Sequence, residues 1–134
     1  MLRSWLIVAA VVGFLSVAAG ATATHLAAGE QAVGLLRTGG LYGIVHAAAL
    51  LAVTSMAQAG GRAGLALTIA GWGFVVGMVL FSISLFALAL TGSNWLGMIT
   101  PFGGVGLLIG WGSLAVYALS RGIYNPRAGS EDRR

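Results

Sequence analysis

The sequence predicts an all-α integral membrane protein: a four-helix bundle with both termini in the cytoplasm and a fourth span kinked by proline and glycine. Charged residues make up 7% of the 134 residues and hydrophobic residues 58%, whereas about a quarter of a soluble domain is charged. No Asp, Glu, Lys or Arg occurs from residue 63 to residue 120, which allows two crossings of a hydrocarbon layer about 30 Å thick. Because backbone groups in lipid must pair within the protein, and no strand-like polar alternation is present, we expect helices.

Charged residues divide the chain into four apolar stretches, each longer than the roughly 18 residues that a spanning helix needs. The predicted spans are residues 4–28, 39–59, 64–90 and 95–119. They form a single predicted membrane domain over residues 1–134, with a flexible cytoplasmic tail at 121–134. The apolar run of the first span extends past residue 20, so we expect this span to be retained rather than cleaved as a signal peptide.

The basic residues predict the orientation. All seven are arginines, and all but Arg37 fall on one side of a four-span arrangement. By the positive-inside rule, we expect both termini on the cytoplasmic side of a bacterial inner membrane. The net charge of +4 does not indicate a nucleic-acid partner, because no dense basic run with interleaved aromatic residues occurs.

Small residues recur at steps of three and four along three spans, which places them on one face of each helix. These stripes are Ala9, Gly13, Ser16, Gly20, Ala23 and Ala27 in the first span, Ala66, Ala70, Gly73 and Gly77 in the third, and Gly103, Gly106, Gly110 and Ser113 in the fourth. Small residues let helix backbones approach closely in lipid, where no hydrophobic effect drives helices together. We therefore expect the stripes to face the inside of the bundle.

Two segments depart from a regular spanning helix. Pro101 lies near the start of the fourth span and is followed by Gly103 and Gly104, so we expect a kink or a short unwound stretch there. Residues 26–40 mix polar and apolar side chains. We expect them to form a short helix that lies in the membrane interface.

Most hydrogen-bonding side chains of the spans fall in the outer half of the predicted bundle. The candidate polar layer consists of His25, Tyr42, His46, Ser82, Ser84 and Thr100. We expect the two histidines to lie at similar depth, because one ends the first span and the other lies early in the second. Polar side chains inside a membrane face the bundle interior or a cavity. Three roles stay open: a structural hydrogen-bond network, a small site for a quinone or lipid headgroup, or bis-histidine haem ligation.

Several classes of function are not predicted. The chain has no cysteine, which excludes disulfides and cysteine-ligated clusters. A phosphate-binding loop, a Ser/His/Asp set and an HExxH zinc motif are absent from the sequence, and Glu30 is the only carboxylate near the polar layer. We therefore expect no enzyme activity, no metal site and no required cofactor, with haem or a quinone at His25 and His46 as the alternatives.

Four short motifs follow one another between residues 20 and 111. Residues 20–25 read G-A-T-A-T-H, 42–46 Y-G-I-V-H, 81–86 F-S-I-S-L-F, and 100–104 T-P-F-G-G, with six residues before Trp111. They resemble, in this order, the G-A-x-x-x-H, Y-Q-x-x-H, F-S-G-S-L-Y and T-P-x-G-G-x6-W motifs of the YgdD/YwdK-like family of small inner-membrane proteins, whose eukaryotic branch is transmembrane protein 256-like. The family is a domain of unknown function, so the resemblance implies a fold and a topology but no activity.

Three positions depart from the family motifs. Gly43 stands where the family has a glutamine, Ile83 where it has a glycine, and Phe86 where it has a tyrosine. Two polar groups are thereby lost from the candidate layer, while His25 and His46 are kept.

The sequence predicts a non-catalytic small membrane protein that serves as a structural or accessory subunit of a larger membrane complex, with respiratory and photosynthetic complexes as candidate hosts. The basis is a nearly charge-free bundle with short loops and no soluble domain. The expected partners are membrane lipids and other integral membrane subunits, and no nucleic acid. The alternative is a small-molecule binding or permeation protein that uses the polar layer around His25 and His46.

Overall fold

A computed structural model describes residues 1–26, 29–60 and 64–120. The helices in this part of the chain are α1 (Leu2–Leu26), α2 (Glu30–Ala59), α3 (Leu65–Met78), α4 (Ser84–Thr91) and α5 (Thr100–Ser120), with a π-helical turn at Val79–Ile83 and a 3-10 turn at Asn94–Met98. Among these described residues, four stretches are long and apolar enough to cross a membrane: Leu2–His25, Glu30–Ala59, Leu65–Thr91 and Asn94–Ser120. The all-α, four-span prediction is confirmed, and the predicted tail 121–134 lies outside the described residues.

The four spans pack as two helical pairs. α1 packs mainly against α2, and α3 against α5; the pairs join where α2 contacts α3 and α4. Large buried side chains form a core along this junction: Trp5, Leu50, Val53, Leu67, Phe74 and Met78. In its most apolar stretch α2 has 50% of its residues buried, against 17% for the fourth span, Asn94–Ser120. The fourth span therefore lies at an edge of the bundle and exposes most of its surface.

α2 is longer than a membrane crossing requires. It begins at Glu30 and contains 30 residues, which gives a length of about 45 Å. The predicted interfacial helix over 26–40 is therefore wrong in its described part, because residues 30–40 are the first turns of α2. α2 stays helical through Gly40, where α1 packs closely against it. A Cβ at Gly40 would lie 3.0 Å from the backbone oxygen of Ser16. Close packing offsets the low helix propensity of glycine.

The small-residue stripes of the third and fourth spans face each other. A Cβ added at Gly73 would lie 2.8 Å from the backbone nitrogen of Gly110, and one added at Gly77 would lie 2.7 Å from that of Leu107. Both distances are shorter than an ordinary van der Waals contact. The backbones of α3 and α5 are therefore so close that no side chain fits between them at these positions.

The fourth span begins with an irregular stretch. Gly92 ends α4 with a φ of 67°, a left-handed conformation that glycine adopts without strain. A 3-10 turn at Asn94–Met98 follows, and Pro101 is the second residue of α5, where its missing N–H would have no helical partner in any case. The 3-10 turn precedes Pro101, which lies within α5, and the kink or unwinding expected at Pro101 stays a prediction. Gly103 packs against the backbone of Phe81, and this close approach explains the glycine.

A π-helical turn at Val79–Ile83 interrupts the third span. Turns of this kind are rare and frequently occur at functional sites, because the wider turn redirects side chains. The turn lies between α3 and α4 and contacts both α2 and α5. It carries Phe81, which is partly buried, and Ser82, which is fully buried. It therefore places one aromatic ring and one hydroxyl group in the middle of the bundle.

Candidate functional site

His46 of α2 uses both of its ring nitrogens in hydrogen bonds within the protein. The side chain is 5% exposed. Its Nδ1 lies 2.7 Å from the backbone oxygen of Tyr42, and the indole Nε1 of Trp111 donates to its Nε2 over 3.1 Å. A carbonyl oxygen only accepts and an indole N–H only donates. The ring is therefore neutral, with its proton on Nδ1, and it links α2 to α5.

Aromatic rings surround His46 and join three spans. The ring centroids of Tyr42 and Phe81 are 4.7 Å apart, and those of Phe74 and Trp111 are 5.3 Å apart at a nearly perpendicular angle. His46 lies 5.8 Å from Tyr42 and 5.8 Å from Phe74. Stacked and edge-to-face contacts of this kind contribute about 0.5–1.5 kcal/mol per pair beyond burial. The cluster therefore packs α2 against the third and fourth spans.

His25 lies far from His46. A Cβ at Gly13 would be 3.9 Å from the Cβ of Ala47, which sets these two residues at one level. His25 is twelve residues further along α1, or about 18 Å at a rise of about 1.5 Å per residue. The prediction that the histidines share a depth is wrong, because the end of α1 runs beside the first turns of α2, which begin at Glu30.

This arrangement does not fit a bis-histidine haem. The two side chains lie at different levels, and both nitrogens of His46 already have partners. A haem iron needs a free ring nitrogen from each histidine. Within the described ranges, no group of three or more His, Cys, Asp or Glu side chains could hold a metal ion.

Ser84 and Thr100 do come together. Their hydroxyl oxygens are 2.8 Å apart, and Ser84 also donates to the backbone oxygen of Phe81 over 3.0 Å. The bond between Ser84 and Thr100 connects α4 to the first residue of α5. Two of the candidate residues thus form a structural link between helices.

The structure brings together two serine hydroxyls that the sequence does not predict to meet. They belong to Ser16 and Ser82, and Gly43 lies beside both. The hydroxyls of Ser16 and Ser82 are fully buried and have no hydrogen-bond partner. Both lie beside Gly43: a Cβ there would be 3.2 Å from the Ser82 oxygen and would overlap the Ser16 oxygen. The sequence predicts Ser82 as a candidate site residue and Ser16 only as a small packing residue. The signal in the sequence is that Ser16 is a polar residue within the stripe of small residues on α1.

An unpaired buried hydroxyl is costly, at about 1–3 kcal/mol. Each hydroxyl can donate one hydrogen bond and accept two. Gly43 has no side chain that could bond to either hydroxyl. No acid or base among the described residues hydrogen-bonds to either serine.

Known proteins share this sequence over most of its length. The family described as "Protein of unknown function (DUF423)" matches residues 19–104. UPF0382 membrane protein YwdK of Bacillus subtilis is 35% identical over 121 residues, covering 88% of this chain and 98% of the relative. A UPF0382 membrane protein of Haemophilus influenzae is 39% identical over 118 residues, covering 86% and 93%.

UPF0382 inner membrane protein YgdD of Escherichia coli K12 is 35% identical over 120 residues, covering 87% of this chain and 90% of the relative. No solved structure matches the chain. The resemblance found in the four motifs is confirmed, and so is the predicted location in the bacterial inner membrane. The chain belongs to the DUF423 family of UPF0382 multi-pass inner-membrane proteins.

Proposed function

We propose that this protein is a non-catalytic accessory subunit of a larger membrane assembly, and that it docks a transmembrane helix of another subunit on its fourth span. The observation that carries the proposal is a groove of about 600 Å³ between α3 and α5. Its lining is almost entirely apolar or small: Leu65, Ala66, Ile69, Ile109, Gly112, Ser113, Val116 and Ser120. A surface of this composition suits close packing of a helix in lipid.

Gly112 supports this docking site. Gly73, Gly77 and Gly110 each face a neighbouring helix of the same chain, whereas no atom lies within 4 Å of a Cβ added at Gly112. An exposed glycine costs a helix about 1 kcal/mol relative to alanine. Packing inside this chain does not offset that cost, and a helix from another subunit would.

The polar side chains support the absence of catalysis. His46 is neutral and occupied on both ring nitrogens, and Ser84 and Thr100 bond to each other. General acid–base catalysis needs a group free to exchange a proton with a substrate. The described polar layer thus serves mainly to hold the helices together.

Site-specific photo-crosslinking tests the docking site in cells. A crosslinking amino acid replaces Gly112 in one variant and Ala118 in a matched control, because Ala118 is exposed on the same helix and lies outside the groove. We expect one integral membrane protein, identified by mass spectrometry, to be captured at Gly112 and not at Ala118. The same subunit should be lost from complexes of a Gly112→Leu variant that keeps its helical content. Lipid adducts alone at both positions contradict the proposal.

A second candidate function is binding or permeation of a small molecule. The observation that favours it is the pair of buried, unpaired hydroxyls at Ser16 and Ser82. This candidate predicts that the purified protein carries one reproducible non-lipid molecule, which a Ser16→Ala/Ser82→Ala variant loses. His46→Ala should then leave the ligand bound, because His46 faces Trp111 rather than these hydroxyls. A double variant that retains the molecule rules out this site.

A further inference from the structure

A polar cavity opens where the end of α1 meets the first turns of α2. Its volume is about 530 Å³, and its lining residues are Thr24, Gly29, Glu30, Val33, Gly34 and Arg37. Glu30 and Arg37 are seven residues apart, so they lie on the same face of α2. Gly34 lies between them, and no atom lies within 4 Å of a Cβ added there. The missing side chain leaves a notch between two opposite charges.

The two charges are available to a ligand. Both side chains are exposed, and neither makes an ion pair with another described residue. Their separation along the helix axis is about 10 Å, which is too long for an ordinary i,i+4 pair. A favourable helix dipole accounts for an acidic residue in the first turn, but it explains neither Arg37 nor the notch.

The notch lies at the level of lipid headgroups. The apolar part of α2 over residues 39–59 is about 31 Å long and fills the hydrocarbon layer by itself. Arg37 then lies at the edge of the hydrocarbon, and Glu30 lies about 10 Å further out. The positive charge is therefore the deeper one and the negative charge the outer one, whichever side of the membrane this end of the bundle faces.

We propose that this cavity binds the headgroup of phosphatidylethanolamine. In this lipid the phosphate joins the glycerol and lies deeper, while the ammonium group extends outward, so the order of charges complements that of Arg37 and Glu30. A guanidinium group binds phosphate through paired, charge-assisted hydrogen bonds. The ammonium group donates to the carboxylate of Glu30. Phosphatidylglycerol has no ammonium group, so its headgroup offers Glu30 hydroxyl donors but no positively charged partner.

Lipid titration measured by native mass spectrometry tests the site. The delipidated protein is mixed with phosphatidylethanolamine or phosphatidylglycerol at equal concentration. We expect the ethanolamine lipid to bind about tenfold more tightly, the effect of one charge-assisted hydrogen bond. Glu30→Gln should remove this preference without weakening phosphatidylglycerol, and Arg37→Gln should weaken both lipids. Arg3→Gln is the matched control, because Arg3 is exposed at the opposite end of α1, and it should change neither lipid.

Three results overturn the proposal. The first is equal binding of the two lipids by the unaltered protein. The second is an unchanged lipid preference in Glu30→Gln or unchanged binding in Arg37→Gln, with circular dichroism showing that each variant is folded. The third is displacement of the lipid by soluble phosphoethanolamine at the lipid's own concentration, which would identify a free phosphate ester as the ligand.

Discussion

Replacing Gly73 by alanine should destabilise the bundle, although alanine is the better helix former. The added Cβ would lie 2.8 Å from the backbone nitrogen of Gly110 and 3.0 Å from the backbone oxygen of Gly106. Both neighbours are backbone atoms, so α3 and α5 must separate by about half an ångström. Overpacking of this kind costs about 1–3 kcal/mol, and the helix propensity of alanine returns about 1 kcal/mol. The expected net loss is up to about 2 kcal/mol.

Gly112→Ala is the matched control, because it makes the same chemical change in a span with open space at the Cβ position. In the purified chain on its own it should stabilise the fold by up to about 1 kcal/mol. Thermal unfolding followed by circular dichroism, in one mild detergent, measures both variants. We expect the Tm to fall for Gly73→Ala and to stay or rise for Gly112→Ala. An equal rise in both would show that α3 and α5 are not in backbone contact at Gly73.

Three further outcomes are expected. Trp111→Phe should lower the free energy of unfolding by about 1 kcal/mol, because it leaves the Nε2 of His46 without its hydrogen-bond donor. Nitrogen NMR of the unaltered protein should find the proton of the His46 ring on Nδ1. A proton on Nε2 contradicts the bond from Trp111. Ser16→Ala should leave the stability unchanged or raise it, because the Ser16 hydroxyl has no hydrogen-bond partner. Ser84→Ala should lower the stability by about 1 kcal/mol, because it removes the bond to α5. A larger loss of stability in Ser16→Ala than in Ser84→Ala contradicts the hydrogen-bond assignment. Reporter fusions at the C terminus and at Gly92 should report opposite sides of the membrane, and equal signals contradict the orientation predicted from the arginines.

The spans and the helix packing were predictable because each depends on local sequence. An uncharged apolar run of sufficient length has one stable form in lipid. The spacing of Gly73, Gly77 and Gly110 likewise indicates which helix faces carry small residues and can pack closely against another helix. Pro101 indicates a helix start equally well, because proline fits the first turn of a helix, and it is the second residue of α5.

The levels of the polar residues were not predictable in the same way. They depend on where each helix begins relative to its neighbour, and the polar residues after Glu30 predict a separate interfacial helix instead of the start of a span. α2 in fact begins there and lengthens the α1–α2 pair, which separates His25 from His46. The bond from Trp111 to His46 joins residues that are 65 positions apart. No local pattern indicates such a pair.

The π-helical turn is a third feature without a signal in the sequence. Residues 79–83 read V-L-F-S-I, with neither proline nor glycine to indicate a change of helix type. The turn lies where α5 approaches the backbone of Phe81 at Gly103, a contact between residues that are distant in sequence. Ser82 lies beside Gly43 and Ser16 through contacts between spans, which the spacing of serines in the chain does not indicate.

Native mass spectrometry of the tagged protein, extracted gently from its own membrane, tests most directly whether this protein is a docking subunit. We expect a stoichiometric complex with at least one other integral membrane subunit. A folded Gly112→Leu variant should lose that subunit, and Ala118→Leu should keep it. A chain that appears only as a monomer or homo-oligomer in every mild extraction contradicts a docking role.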